Sequence, residues 1–276
     1  MQPIYDFGGD GPLIHLAVAN GFPPQTYTPL LEPLTQNRRI VSLVPRALWP
    51  DEKPPDKLIS WQDGVAKDLS RGLHDYGFND IIAIGHSIGG IATILTAAKE
   101  PERFKAIILL DPTILPSRLM WTFQIARFLG YKHNPLSRKA EKRRYQFESV
   151  DAAFSYFRGK RLFKDLTDES LRYYAESIVP SGEGFELAWP REWERFYFRT
   201  FYTKSWYALP KLRGKMPILT IRGMASDTLF PGAAARMRRI LPDMDYAEVA
   251  GHGHLFPQSA PDETRQIIVD WLAGLR

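Results

Sequence analysis

Short aliphatic, β-branched runs alternate with helix-patterned stretches through the first 110 residues, and this alternation restricts the architectures open to the chain. Residues 13–19, 40–44, 81–84 and 106–110 read as strands. Between them, residues 25–37, about 58–76 and 88–99 read as helices; Trp61, Val65, Leu69, Leu73 and Tyr76 recur at three- and four-residue spacing. Buried runs separated by helical crossovers predict an α/β fold: a mostly parallel central sheet with helices on both faces. Residues 4–7, ahead of the turn Gly8-Gly9-Asp10-Gly11, are expected to pair antiparallel at the sheet edge. No helix opens after that turn, so it is not a dinucleotide fingerprint.

The alternation stops near Pro112 and returns after residue 209, with strands at 218–221 and 246–249 and helices at 232–241 and 262–275. Residues 115–209 show no clear strand and are dense in aromatics, among them Trp121, Phe147, Phe157, Tyr174, Trp189, Trp193, Tyr197 and Trp206. The simplest organisation is a core built from residues 1–114 and 210–276, interrupted by a helical insertion at 115–209. Most of the aromatics are expected to form the insertion's own core. A few would roof a site on the sheet and line an apolar pocket.

Composition removes several classes. The chain of 276 residues has 0 cysteines, which excludes disulfides, thiolate catalysis and cysteine-ligated metals, and fits a cytoplasmic protein. No apolar run reaches the roughly 18 residues of a membrane span, and the N-terminus lacks a basic segment followed by an apolar one. The net charge of +5 comes from Lys and Arg spread along the chain, with local clusters at 138–144 and 236–239. The first cluster includes Glu141 and reads as a solvated helix face. With no zinc-finger spacing, RNP-like motif or basic heptads, no nucleic-acid partner is expected.

Gly85-His86-Ser87-Ile88-Gly89 matches G-x-S-x-G and falls between the third strand and the helix after it. A tight strand-to-helix turn there forces the serine into a strained conformation and lifts its hydroxyl off the sheet; flanking glycines let neighbouring backbone approach. A serine needs a base, and the base an orienting carboxylate. Asp227, just past the strand at 218–221, and His254, just past the strand ending at Val249, follow Ser87 in the order serine, acid, histidine. Asp111, at the end of the strand after Ser87, is a competing acid, read as a structural residue opening the loop into the insertion. His252 competes with His254, since both follow a glycine.

On Gly85-His86-Ser87-Ile88-Gly89-Gly90, the loop from Gly223 to Asp227, and Gly253-His254 with Pro261 ahead of the last helix, the chain resembles the α/β-hydrolase superfamily, in its insertion-bearing esterase, lipase and haloperoxidase-like branch. The resemblance implies Ser87 as nucleophile, His254 as general base and acid, and Asp227 as the carboxylate that orients the imidazole. In that family the histidine commonly stands about seven positions before a proline, which favours His254 over His252. Family members usually carry His-Gly and a bulky residue after the first core strand; here Asn20-Gly21-Phe22 stands in that place. The oxyanion donors are therefore expected to be the backbone N–H groups of Phe22 and Ile88.

Together these residues imply a carboxylic-ester hydrolase acting on small to medium uncharged molecules, with neither cofactor nor metal. A lactonase, C–C hydrolase, acyltransferase or perhydrolase would use the same residues, and a non-enzymatic ligand receptor could use the pocket alone. Epoxide hydrolases and haloalkane dehalogenases resemble this fold but place aspartate where Ser87 stands. His15, inside a strand, is expected to be a packed core histidine; His74, His86 and His133 receive no role.

Overall fold

Each apolar run forms a strand where the alternation places one. The computed structural model describes residues 1–129, 134–200 and 205–275, so His133 lies outside the described residues. The first half contributes β1 (Ile4–Gly8), β2 (Leu13–Ala17), β3 (Arg39–Leu43), β4 (Ile81–His86) and β5 (Phe104–Leu110). The segment after β5 adds β6 (Gln146–Phe147), β7 (Ile178–Ser181) and β8 (Gly184–Leu187). The chain then returns with β9 (Ile218–Gly223) and β10 (Asp245–Val249). The main sheet runs β1-β3-β2-β4-β5-β9-β10. β1 pairs antiparallel with β3 at the edge, and every other neighbour is parallel.

β4 and β9 are buried along their whole length, as strands covered on both faces should be. The helices Lys67–Asp75, Ile88–Ala97, Pro231–Ile240 and Pro261–Gly274 pack against the sheet. Residues 25–37 depart from the single helix expected. They form a broken series of short turns at Pro24–Tyr27, Thr28–Leu31 and Glu32–Gln36. Pro29 and Pro33 each lack an N–H and cannot sit inside a continuous helix.

The insertion also departs from expectation, because it is not purely helical. Besides helices at Ser117–Phe128, Pro135–Glu141, Val150–Arg158, Asp168–Glu176 and Arg191–Arg199, it holds an antiparallel sheet in the order β6-β8-β7. A two-residue turn at Gly182-Glu183 joins β7 to β8, and Gly182 takes φ +60°, the glycine requirement of a II′ hairpin. Strands of two to four residues are too short to show alternation, so Ser181-Gly182-Glu183-Gly184 is the one signal the sequence carries for them.

Aromatics fill the insertion's interior. Phe147, Phe157, Phe163 and Tyr174 form one set of ring contacts, and Trp189, Trp193, Phe196 and Tyr197 another. The cluster at 138–144 does not lie wholly in solvent. Arg143 turns inward, donates to Glu194 at 2.7 Å and to the Tyr174 hydroxyl, and lies over three rings. Burial is tolerable because Glu194 balances the charge and the rings cover the guanidinium faces.

Candidate active site

The turn after β4 is built by exclusion of side chains. Gly85 and Gly89 could not carry a Cβ. At Gly85 it would sit 2.7 Å from Gly90 Cα, and at Gly89 2.1 Å from the Ala17 carbonyl oxygen. The helix Ile88–Ala97 can therefore start hard against the end of β2 and the strand it leaves. Ser87 between them adopts φ 57°, ψ −119°, a conformation that costs a non-glycine residue roughly 1–3 kcal/mol. Two backbone bonds hold it there, Ser87 N–H to Leu110 at 3.1 Å and Thr113 N–H to Ser87 at 3.2 Å.

β5 ends at Leu110, and Asp111 follows with φ 42°, its N–H bonded to Ile221 at 2.8 Å. β10 ends at Val249 and feeds the loop that carries His254. That loop comes close only because Gly223 lacks a side chain: a Cβ there would lie 2.3 Å from the Gly253 oxygen. Three strand ends thus converge. His254 Nε2 lies 2.9 Å from Ser87 Oγ, and His254 Nδ1 lies 2.6 Å from Asp111 Oδ2.

Asp111, not Asp227, is the carboxylate at the imidazole. Asp227 is exposed, and its carboxylate meets only the Thr228 hydroxyl, at 3.4 Å, among the described residues. The loop expected to supply the acid contributes one residue earlier. Ser226 Oγ donates to Asp111 Oδ2 at 2.5 Å and in turn accepts the Thr228 N–H at 3.0 Å. Asp111 is fully buried, so the imidazole N–H, the Ser226 hydroxyl and, at 3.5 Å, the Leu229 N–H stand in for solvent at its Oδ2. His252 points elsewhere, its Nδ1 2.7 Å from Ser259 Oγ.

The direction of each bond follows from the acceptors. A carboxylate only accepts, so His254 Nδ1 carries the proton and Nε2 accepts from the Ser87 hydroxyl. The Thr113 hydroxyl, 3.0 Å from Ser87 Oγ, is then the donor to that oxygen. Sequence reasoning misses Thr113, because no spacing ties a threonine in this loop to the serine turn.

A second chain of bonds runs behind the first. His86 Nε2 meets the His254 main-chain oxygen at 3.0 Å, and His86 Nδ1 meets the Tyr27 hydroxyl at 2.7 Å. Tyr27 accepts the Ala19 N–H at 3.0 Å. A carbonyl requires His86 Nε2–H, so Nδ1 accepts from Tyr27. Burial, with His254 beside it, pushes His86 well below the usual histidine range and keeps it neutral.

The two expected oxyanion donors differ. Ile88 opens its helix, so its N–H has no intrahelical partner. Phe22 N–H does not stand free as expected; it closes the turn Ala19-Asn20-Gly21-Phe22 on the Ala19 carbonyl at 3.2 Å. Gly21 at φ +82° supplies the positive φ that a type II turn needs at its third residue. The insertion clamps this turn. Asn20 Nδ2 donates to the Glu194 carbonyl at 3.1 Å, and the Phe22 ring packs on Phe163 and Tyr174.

The model of the alpha/beta hydrolase family matches residues 13–267. The chain belongs to the alpha/beta hydrolase family. Its likeness to individual members is low in sequence and high in fold. It is 21% identical over 302 residues to bifunctional epoxide hydrolase 2 of Sus scrofa, covering 96% of this chain and 52% of that protein. The chain therefore spans about half the length of that curated relative. The crystal structure of E-2-(acetamidomethylene)succinate hydrolase superposes with a TM-score of 0.77 at 19% identity, covering 98% of this chain and 94% of that one. A thermophilic esterase from Thermogutta terrifontis superposes with a TM-score of 0.65 at 20% identity, covering 99% and 93%. Among the described residues of this family member, no helix is long and apolar enough to cross a membrane.

Proposed function

We propose that the protein hydrolyses carboxylic esters through an acyl-enzyme on Ser87, with His254 as base and Asp111 as its orienting carboxylate. The observation that carries this reading is the continuous set of bonds from Ser87 Oγ through both imidazole nitrogens to Asp111, at 2.9 and 2.6 Å. Ser87 Oγ attacks the ester carbonyl as its proton passes to His254 Nε2. The imidazolium is balanced by Asp111, and its proton then leaves with the alcohol. A water enters and gives a proton to His254 Nε2 as its oxygen attacks the acyl carbonyl; the acyl–Oγ bond then breaks, and Ser87 Oγ takes that proton back as the free acid leaves. The Ile88 N–H stabilises the oxyanion; Phe22 adds to it only by sharing the long bond it makes to Ala19.

The insertion at 115–209 acts as a cap in this reading. Its buried aromatics and its contacts to the turn at Asn20 to Phe22 support an apolar roof that favours uncharged substrates of small to medium size. Epoxide opening through an ester intermediate would need a carboxylate where Ser87 stands. A chain without cysteine also fits a cytoplasmic site of action. The test is turnover of p-nitrophenyl esters of rising acyl length, with fluorophosphonate labelling alongside. Wild type should turn over and label, and Ser87→Ala should do neither while keeping its fold. Labelling of Ser87→Ala at the wild-type rate would reject the assignment.

A further inference from the structure

Thr113 is bonded twice to the same residue. Its N–H meets the Ser87 main-chain oxygen at 3.2 Å, and its hydroxyl meets Ser87 Oγ at 3.0 Å. The main-chain bond ties the loop after β5 to the serine turn whatever the side chain at 113, so the hydroxyl bond is not needed for that. Threonine hydroxyls elsewhere in this chain return to a carbonyl three or four residues back, as at Thr26, Thr93 and Thr264. Thr113 gives its hydroxyl instead to the oxygen proposed to react.

The Ser87 hydroxyl has one proton and gives it to His254 Nε2 at 2.9 Å, so Oγ accepts from Thr113. One lone pair of Oγ then takes the Thr113 proton, and the other remains for a carbonyl carbon. During attack on an ester the Thr113 bond exists before the reaction and persists in the transition state. An interaction made equally in both cancels from the barrier to acylation.

Deacylation is different. In the acyl-enzyme Oγ is an ester oxygen whose electrons are drawn into the acyl carbonyl, and it accepts weakly. When water adds to that carbonyl the delocalisation ends, and as the C–Oγ bond breaks negative charge gathers on Oγ. A donor already aimed at that oxygen is worth more there than in the acyl-enzyme. We propose that Thr113 is a catalytic residue of the second half-reaction, stabilising Ser87 Oγ as it leaves the acyl group. The proposal rests on Ser87 forming an acyl-enzyme. Thr113 keeps its own proton throughout: the water oxygen bonds to the acyl carbon, the C–Oγ bond breaks, and the water's proton reaches Oγ through His254 Nε2.

The test uses the full chain and p-nitrophenyl butyrate. Steady-state kinetics give kcat and kcat/KM. Acid quenching at saturating substrate, followed by intact-mass measurement, gives the fraction of enzyme acylated, with Ser87→Ala as the blank. Dividing kcat by that fraction gives the deacylation rate, while kcat/KM reports acylation. Thr113→Val keeps the side chain's shape and the main-chain bond and removes the hydroxyl. It should slow deacylation by about fivefold or more and raise the acylated fraction, with kcat/KM held within about twofold. Thr113→Ala, which cannot crowd the site, should do the same. Thr113→Ser restores the hydroxyl and should return deacylation to within about twofold of wild type.

A hydroxyl that only supports the loop would give another pattern: kcat and kcat/KM would fall together, and the acylated fraction would stay at its wild-type value. That pattern, or a deacylation rate unchanged in both Thr113→Val and Thr113→Ala, would overturn the role of Thr113. The acyl mass on Ser87 would then leave the hydrolase reading intact. Absence of any acyl mass from wild type and from Thr113→Val would overturn both.

Discussion

His86 Nε2 donates to the main-chain oxygen of His254 at 3.0 Å, so the residue before the serine holds the loop that brings the imidazole to it. Because Tyr27 joins His86 to the Ala19 N–H, one buried strut ties three chain segments that are far apart in sequence. His86→Phe should leave the Tyr27 O–H without an acceptor and the His254 carbonyl without a donor in the interior. Each unsatisfied buried group costs about 1–3 kcal/mol. A loss of that order in urea unfolding is expected, with a fall in kcat larger than any rise in KM. Unchanged stability together with unchanged kcat would show that the strut positions nothing.

Two neutral buried histidines make stability depend on pH. His15 is pushed down to about 3 and His86 well below its ordinary value, both by burial first. In the unfolded chain both titrate near 6.5. Below that pH the unfolded state binds protons that the native state does not, so unfolding free energy rises with pH. The full contribution is present above about 6.5 and is lost as the pH falls toward the native values. The slope is about 1.4 kcal/mol per pH unit for each histidine, or about 2.7 for the pair. Urea midpoints at pH 5, 6 and 7 measure it, and His86→Phe should halve it. A flat profile over that range would contradict the buried neutral state.

Asp111→Asn and Asp227→Asn separate the two carboxylates. Asparagine at 111 would offer its amide N–H₂ to His254 Nδ1 and favour the tautomer that cannot accept from Ser87. In trypsin-like serine proteases the equivalent exchange costs about 10⁴ in kcat, and a loss of that order is expected if Ser87 and His254 act as proposed. Asp227 is exposed and away from the imidazole, so Asp227→Asn should change kcat/KM by less than about twofold. Steady-state kinetics on a p-nitrophenyl ester decides it, and a severe loss confined to Asp227→Asn would reverse the assignment.

His254→Ala should lower kcat by several orders of magnitude with little change in KM, because it removes a role exercised in the transition state. His252→Ala removes a bond to Ser259 on the far side of the loop and should cost about tenfold or less through loop disorder. Equal losses in the two variants would break the distinction that their positions make.

The serine turn is legible in the sequence because its requirements are local. Glycine at 85 and 89, a strand before and a helix after leave the chain few ways to run. The parallel sheet is legible for the same reason, since buried strands read as continuous apolar runs. The edge pairing of β1 follows from the turn after it. The break at residues 25–37 is also local, written in Pro29 and Pro33. The short β6–β8 sheet leaves only a glycine-rich turn behind.

Which carboxylate meets the His254 imidazole was decided by tertiary structure alone. Asp111 and Asp227 both follow a core strand and both stand between Ser87 and His254, so the order serine, acid, histidine does not separate them. Which of two carboxylates reaches an imidazole depends on the pitch of neighbouring strand ends and on a close loop approach that Gly223 allows. A change of one residue turns Ser226 inward and Asp227 outward. The partners of Arg143, Tyr27, His86 and Thr113 are hidden for a related reason. Their long-range bonds join segments from 26 to 168 residues apart, and a hydrogen bond across such a distance leaves no period in the sequence. The sequence by itself determined the sheet and the sharp turn at Ser87 through local sterics and burial. Only the packed structure could choose the carboxylate, because that choice lies in angles between elements rather than in the residues within them.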